Sequence, residues 1–226
     1  METLSIYYIA TDSYKEGFIH FRKNLHKFCP EFKKTVILLS DGLEEWDNKE
    51  ENGITYKRYY IQHEEWPLIT LYKMKHILDH WNESDYSCYF NADLQCNPDY
   101  DFNKQPFNLT KFNASLHVYD RENSPVVIIH NKKVYRYVQA GFFLGPANIV
   151  KKMCEDVCRD LENDRENKVI KGPLHDESYL NLWVFENEDL VCRGHFMNHA
   201  VFDEDYPTTI INTIEKAKFK TKEENY

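Results

Sequence analysis

Tyr86-Ser87-Cys88-Tyr89-Phe90-Asn91-Ala92-Asp93 is the stretch on which the fold turns. Its first part is short, apolar and aromatic, reads as a buried strand, and passes without a spacer into polar Asn91-Ala92-Asp93. Side chains alternate along an extended chain, so Asn91 and Asp93 point the same way and can meet one ligand at a strand end. A plain strand-to-loop turn accounts for the same tripeptide. Were both residues Asp, the pair would suit a hard divalent cation bridging a diphosphate, whereas Asn91 is a weaker, neutral ligand.

Outward from there the pattern repeats. Residues 4–10 are a mixed apolar run of strand length, followed by the polar turn Thr11-Asp12-Ser13. Residues 14–28 then place Phe18, Phe21, Leu25 and Phe28 at helical spacing. Thr35-Val36-Ile37-Leu38-Leu39 is a buried-type strand ending at Ser40-Asp41-Gly42, and residues 54–61 read as another. The spacing predicts a helix over 70–81, with Leu71, Met74, Ile77, Leu78 and Trp81 on one side. Strands alternating with helices predict an α/β fold, a mostly parallel central sheet flanked by helices. Such sheets bind ligands at the carboxyl ends of their strands, where Thr11, Asp41, Asn91 and Asp93 all fall.

The second half is less regular, with strand-like pieces in 115–129, a helix over 148–163 and another starting near Asp176. No repeat, linker or composition shift divides the chain, so residues 1–226 read as one domain. Residues 212–226 are a lysine-rich tail, read as mobile and able to close over a ligand.

Composition narrows the function. A net charge of −9 offers no global basic field for nucleic acid, although a local basic patch can still hold a phosphate or an anionic membrane. The 16 tyrosines suit stacking on sugar faces as well as core packing. No run approaches the ~20 apolar residues of a membrane span, and the start lacks the pattern of a signal peptide. The cysteines show no CxxC; Cys154 and Cys158 share a helix face but have no second pair nearby, and read as packing thiols. These features together place the chain in a reducing cytoplasm. The sequons at Asn82, Asn108 and Asn113 then read as chance.

Two further runs carry functional groups. His175-Asp176-Glu177-Ser178-Tyr179-Leu180-Asn181 follows the loop signal Gly172-Pro173 and precedes a helical pattern. One reading is an acidic first turn that complements the helix dipole. The other is a rigidly held carboxylate beside a His, placed to stabilise developing positive charge. Tyr137-Val138-Gln139-Ala140-Gly141-Phe142-Phe143-Leu144-Gly145-Pro146 sets small residues between aromatics, so its backbone can approach a neighbouring helix or a sugar ring closely. There is no GxGxxG, Walker loop, GxSxG or HExxH, which removes support for dehydrogenases, kinases, serine hydrolases and zinc proteases.

In order and spacing these pieces resemble glycosyltransferase family 6, the retaining family of the histo-blood-group A and B transferases and the α1,3-galactosyltransferases. Residues 175–181 are similar to the family's HDESxLN signature, and 138–145 to its Y-x-G-G/A-F-F-G-G segment. Trp66-Pro67-Leu68-Ile69-Thr70-Leu71-Tyr72-Lys73 resembles its W-P/Q-x-x-T/S-L/M-x-R/K helix start. The resemblance implies a GT-A-type fold and retaining transfer of GalNAc or Gal from a UDP-sugar, in α1,3 linkage, to a β-galactoside that can carry fucose. It implies Glu177 as the catalytic carboxylate, either nucleophile or stabiliser of the oxocarbenium-like centre. For the donor it implies Ile9, Ala10, Thr11 and Tyr14 at uracil and ribose, Lys73 and Asp176 at the sugar, Asn91 and Asp93 at the strand end, and Gln139, Ala140 and Gly141 as selectors between the two sugars. For the acceptor it implies Trp66, His117 and His175.

The departures from the family pattern are informative. Its animal members carry Asp-x-Asp and need Mn²⁺, while bacterial members typically carry Asn-x-Asn and work without metal. Asn91-Ala92-Asp93 is a hybrid with one carboxylate, which implies no metal cofactor and disfavours Mn²⁺. The pyrophosphate charge then falls to tail cations, with Lys218, Lys220 and Lys222 as candidates. After His117 the family's Pro-Gly-Phe-Tyr is replaced by Val118-Tyr119-Asp120-Arg121, and its aromatic before the HDES run is Leu174 here. Both changes touch the acceptor side. The expected partners are therefore a UDP-sugar and an oligosaccharide or lipid-linked glycan, for a bacterial-type enzyme in the cytoplasm or peripheral at the inner membrane. Two other readings remain at this stage: a non-catalytic UDP-sugar or glycan binder on the same fold, and a retaining GT-A transferase for another hexose.

Overall fold

The computed structural model describes residues 1–65, 68–97, 100–101, 106–116, 127–129, 132–134, 137–167, 176–194, 196–198 and 211–213. Its strands are β1 (Thr3–Ile9), β2 (Lys33–Ser40), β3 (Lys49–Glu51), β4 (Ile54–Tyr60), β5 (Tyr86–Phe90), β6 (Leu94–Cys96), β7 (Phe112–Leu116), β8 (Val127–Ile129), β9 (Lys132–Val134), β10 (Val138–Pro146), β11 (Val191–Gly194), β12 (Met197–Asn198) and β13 (Ile211–Thr213). Its α-helices are α1 (Lys15–Lys23), α2 (Leu68–Leu71), α3 (Lys73–Asp79), α4 (Ala147–Glu166) and α5 (Asp176–Glu186).

The central sheet has eight strands in the order β11-β7-β10-β5-β1-β2-β4-β3. β4, β2, β1 and β5 run parallel as neighbours, and β11 is parallel to β7. β10 enters antiparallel between β5 and β7, and β3 closes the far edge antiparallel to β4. A mostly parallel mixed sheet flanked by helices is the GT-A-type α/β architecture expected from the sequence.

The interior strands are apolar on both faces because helices or loops cover both. Successive residues therefore join opposite cores. Leu4, Ile6 and Tyr8 pack with Phe18 and Phe21 of α1 and with Phe28, whereas Tyr7 and Ile9 pack beside Met74 and Ile77 of α3 and with α4 and α5. Phe142 and Phe143 divide in the same way. α5 is buried almost all round, through Ser178, Tyr179, Leu180, Asn181, Leu182, Trp183 and Val184, as a helix lodged inside the fold must be.

Several boundaries differ from the sequence expectation. The helix read over 14–28 stops at Lys23, followed by a short 3₁₀ turn at Leu25–Lys27. Cys29 has φ 44°, and Pro30 after it disfavours helical geometry. The helix read over 70–81 starts at Leu68, is interrupted at Tyr72 and ends at Asp79. The tail expected from residue 212 begins inside structure, because Asn212 and Thr213 belong to β13 and pair with Gln95 and Leu94.

Candidate active site

Where β1, β4 and β5 end and β10 begins, a cavity of about 410 Å³ opens, within the range of small-ligand sites. One wall comes from the strand ends. Ile9, Thr11 and Tyr14 follow β1, and Asn91, Ala92 and Asp93 follow β5. Here the chain is pinned from behind: the Tyr89 hydroxyl donates to Asn91 Oδ1 (2.8 Å), the Asn91 N–H to the Gly141 carbonyl (2.8 Å) and the Tyr8 hydroxyl to the Ala92 carbonyl (2.7 Å). Burial pushes both phenols well above their usual range, with the nearby Asp93 carboxylate adding to it, so both remain neutral donors.

The opposite wall is built from β10, α3 and the first turn of α5, through Ala140, Gly141, Lys73, Asp176 and Glu177. The register of β10 against β7 slips between Gln139 and Phe143, leaving Ala140 out of the ladder. Its backbone groups turn to side chains instead: the Ala140 N–H donates to Glu177 Oε1 (3.1 Å), and the Ala140 carbonyl accepts from Lys73 Nζ (2.6 Å). Lys73 also forms an ion pair with Asp176 and sits 4.9 Å from the Tyr89 ring centroid. Lys73 is 1% and Asp176 3% exposed, and the two buried charges compensate each other.

Asn181, one turn along α5, locks the helix to the strand. Its Oδ1 accepts the Val138 N–H, and its Nδ2 donates to the carbonyls of Val138 and Glu177, each at 2.8 Å. The last carboxylate oxygen, Glu177 Oε2, accepts from the Tyr137 hydroxyl at 2.8 Å. The result is two adjacent acids with different surroundings. Asp176 is neutralised by a buried lysine, while Glu177 is half-buried at the cavity surface and oriented by an amide and a phenol.

Of the donor-side candidates, Ile9, Thr11, Tyr14, Lys73, Asn91, Asp93, Ala140, Gly141 and Asp176 line this cavity together with Glu177. Ala10 and Gln139 do not line it: Ala10 is fully buried and Gln139 is 2% exposed. Asp41, expected in the same cleft, instead accepts the Asp12 N–H and pairs with Lys15. Trp66, His117, His175, Lys218, Lys220 and Lys222 lie outside the described residues.

Some lining residues were not singled out from sequence. His63 and Glu64 lie just past the end of β4, where the strand-end rule applied to that strand finds them; His63 Nδ1 is 3.0 Å from the Thr11 hydroxyl. Ile69, Thr70 and Tyr89 stood inside quoted segments without an assigned place in the site.

Among the described residues, no group of three or more His, Cys, Asp or Glu side chains is placed to hold a metal ion. At the strand end, Asn91 Oδ1 accepts the Tyr89 hydroxyl, and Asp93 is the one carboxylate of the Asn91-Ala92-Asp93 tripeptide. No helix among the described residues is long and apolar enough to cross a membrane.

No family model matches the chain. An O-antigen biosynthesis glycosyltransferase, WbnI of Escherichia coli, is 24% identical over 208 residues, a stretch covering 83% of this chain and 84% of that protein. Taken with the α/β sheet and its strand-end cavity, this likeness over most of both chains supports a glycosyltransferase.

Proposed function

We propose that the chain is a retaining hexosyltransferase that moves GalNAc or Gal from UDP to a β-galactoside in α1,3 linkage. The observation that carries this reading is the convergence, in one cavity, of the β5 strand end, the Ala140-Gly141 bulge and an oriented Glu177 carboxylate. Overall, the bond from the anomeric carbon to the UDP oxygen breaks with its electron pair leaving on UDP. The acceptor hydroxyl forms the new bond and its proton ends on the released diphosphate or in solvent. Glu177 acts on the face opposite the leaving group, as nucleophile or as anionic stabiliser.

Asp176, fixed by Lys73, would accept hydrogen bonds from donor-sugar hydroxyls. The described lining places Glu64, Asp93, Asp176 and Glu177 against the single permanent cation Lys73, already paired. A diphosphate bound there needs further positive charge, and the tail lysines Lys218, Lys220 and Lys222 are proposed to bring it without a metal. Removing the chain after Thr213, which spares β13, should weaken UDP binding while preserving the fold. WbnI's role in O-antigen biosynthesis favours a lipid-linked glycan acceptor, reached from the cytoplasm or the inner membrane face.

The reading is tested by incubating the protein with UDP-GalNAc or UDP-Gal and a fucosylated lactose, with and without EDTA. The expected result is UDP release and an α-linked product that survives chelation. UDP release no greater than background with either donor would favour a pure binder, and full loss of turnover with EDTA would overturn metal independence. Gly141, at the cavity wall, leaves room for an acetamido group, so Gly141→Ala should shift preference toward UDP-Gal; an unchanged donor ratio would remove this account of sugar choice.

A further inference from the structure

Glu177 must present its charge to a reacting carbon in one orientation, and a glutamate can turn freely about its terminal torsion. Two donors set that orientation here. The Ala140 N–H takes Oε1, and the Tyr137 hydroxyl takes Oε2. They come from neighbouring points of one rigid segment: Tyr137 directly precedes β10, and Ala140 lies in its irregular stretch. Asn181 ties Val138, between them, to the same helix that carries Glu177. The carboxylate and these two donors are therefore tied to one another through the contact of β10 with α5.

We propose that Tyr137 is a positioning residue for transfer, holding the Glu177 carboxylate in its reactive orientation through a neutral hydrogen bond. This rests on the assignment of Glu177 as the reactive carboxylate. Neutrality is what distinguishes this arrangement from the one at Asp176. A lysine in direct contact offsets most of a carboxylate's field, whereas a phenol orients the group and leaves its net charge in place. The phenol keeps its proton because burial, followed by the charge of Glu177, pushes its ionisation far above the ordinary tyrosine range. A phenylalanine at this position would keep the ring and its packing and lose only the donor.

The test compares the full-length wild type with Tyr137→Phe and Glu177→Gln, using UDP-GalNAc and a fucosylated lactose. For Tyr137→Phe the expected result is a kcat lower by about ten- to a hundredfold, as for loss of a hydrogen bond to a charged group. The donor KM should stay within about twofold, because the contact matters in the transition state and not in donor binding. In infrared difference spectra, the carboxylate band that disappears in Glu177→Gln should shift in Tyr137→Phe, a readout that a merely structural tyrosine would leave in place. A wild-type kcat in Tyr137→Phe beside an inactive Glu177→Gln would overturn this inference alone, as would an unmoved carboxylate band. Equal turnover in wild type and Glu177→Gln would overturn the assignment of Glu177 and this inference together.

Discussion

At the strand-end wall of the cavity, Asn91 and Ala92 are held by a phenol each and by a backbone bond from Asn91 to Gly141 of the neighbouring strand. Across from it, the first turn of α5 is held by a buried ion pair, a lysine on a carbonyl, an asparagine clamp and a phenol on a carboxylate. The first wall is a strand end of ordinary design. The second spends buried charge and polar groups to fix two side chains in place. Costly, fully connected polar networks in a core are where a fold specifies geometry more than stability. On the proposed function, the strand-end wall serves donor binding, while the helix wall carries both the sugar-binding Asp176 and the reactive Glu177.

The contrast can be broken by measuring what each wall is worth. The largest effect belongs to Lys73→Met, which takes from the buried Asp176 its lysine countercharge; chemical denaturation should show a loss of about 3–5 kcal/mol. The double variant Lys73→Met with Asp176→Leu should recover much of that stability while losing donor recognition. A loss below about 1 kcal/mol in the single variant would mean that the pair is not buried as described. Asn181→Ala comes next. It removes three hydrogen bonds between α5, Val138 and Glu177 and should cost about 2–3 kcal/mol, with slower turnover as the carboxylate loosens. On the strand-end wall, Tyr89→Phe removes the single bond to Asn91 Oδ1 and should cost only about 1 kcal/mol, with the change appearing in donor KM more than in kcat. Smallest is Asp41→Asn. It loosens a partly exposed pair with Lys15 outside the cavity, should cost under about 1 kcal/mol and should leave donor affinity unchanged.

What the sequence revealed follows the same division. Residues 86–90 read as a buried strand and are β5 to the residue, because a short apolar run bounded by polar residues has few other solutions. The helix start at Asp176 was legible from acids beside an apolar pattern. β10 was not recognised as a strand. It is buried on both faces, so the alternation that marks a half-exposed strand is absent, and its glycines pointed to close approach. A Cβ on Gly145 would lie 3.0 Å from the Phe112 backbone, so at Gly145 the close approach is to β7, whereas Ala140 meets α5 through Glu177. Asp41 followed the strand-end rule and still missed the cavity, because Lys15 and the Asp12 N–H draw its carboxylate aside. The partners of Lys73 and Glu177 were out of reach for a different reason. Lys73 and Asp176 lie far apart in the chain, and only the folded structure makes them neighbours beside the Ala140 carbonyl.

The central claim is that Glu177 is the reactive carboxylate of a UDP-sugar cavity. Its most direct test is a paired measurement on Glu177→Gln: UDP affinity by calorimetry and sugar transfer from UDP-GalNAc or UDP-Gal. The account predicts UDP binding within about twofold of wild type and transfer reduced by about a hundredfold or more, since the amide keeps the shape and removes the charge. Transfer at the wild-type rate with intact UDP binding would contradict it.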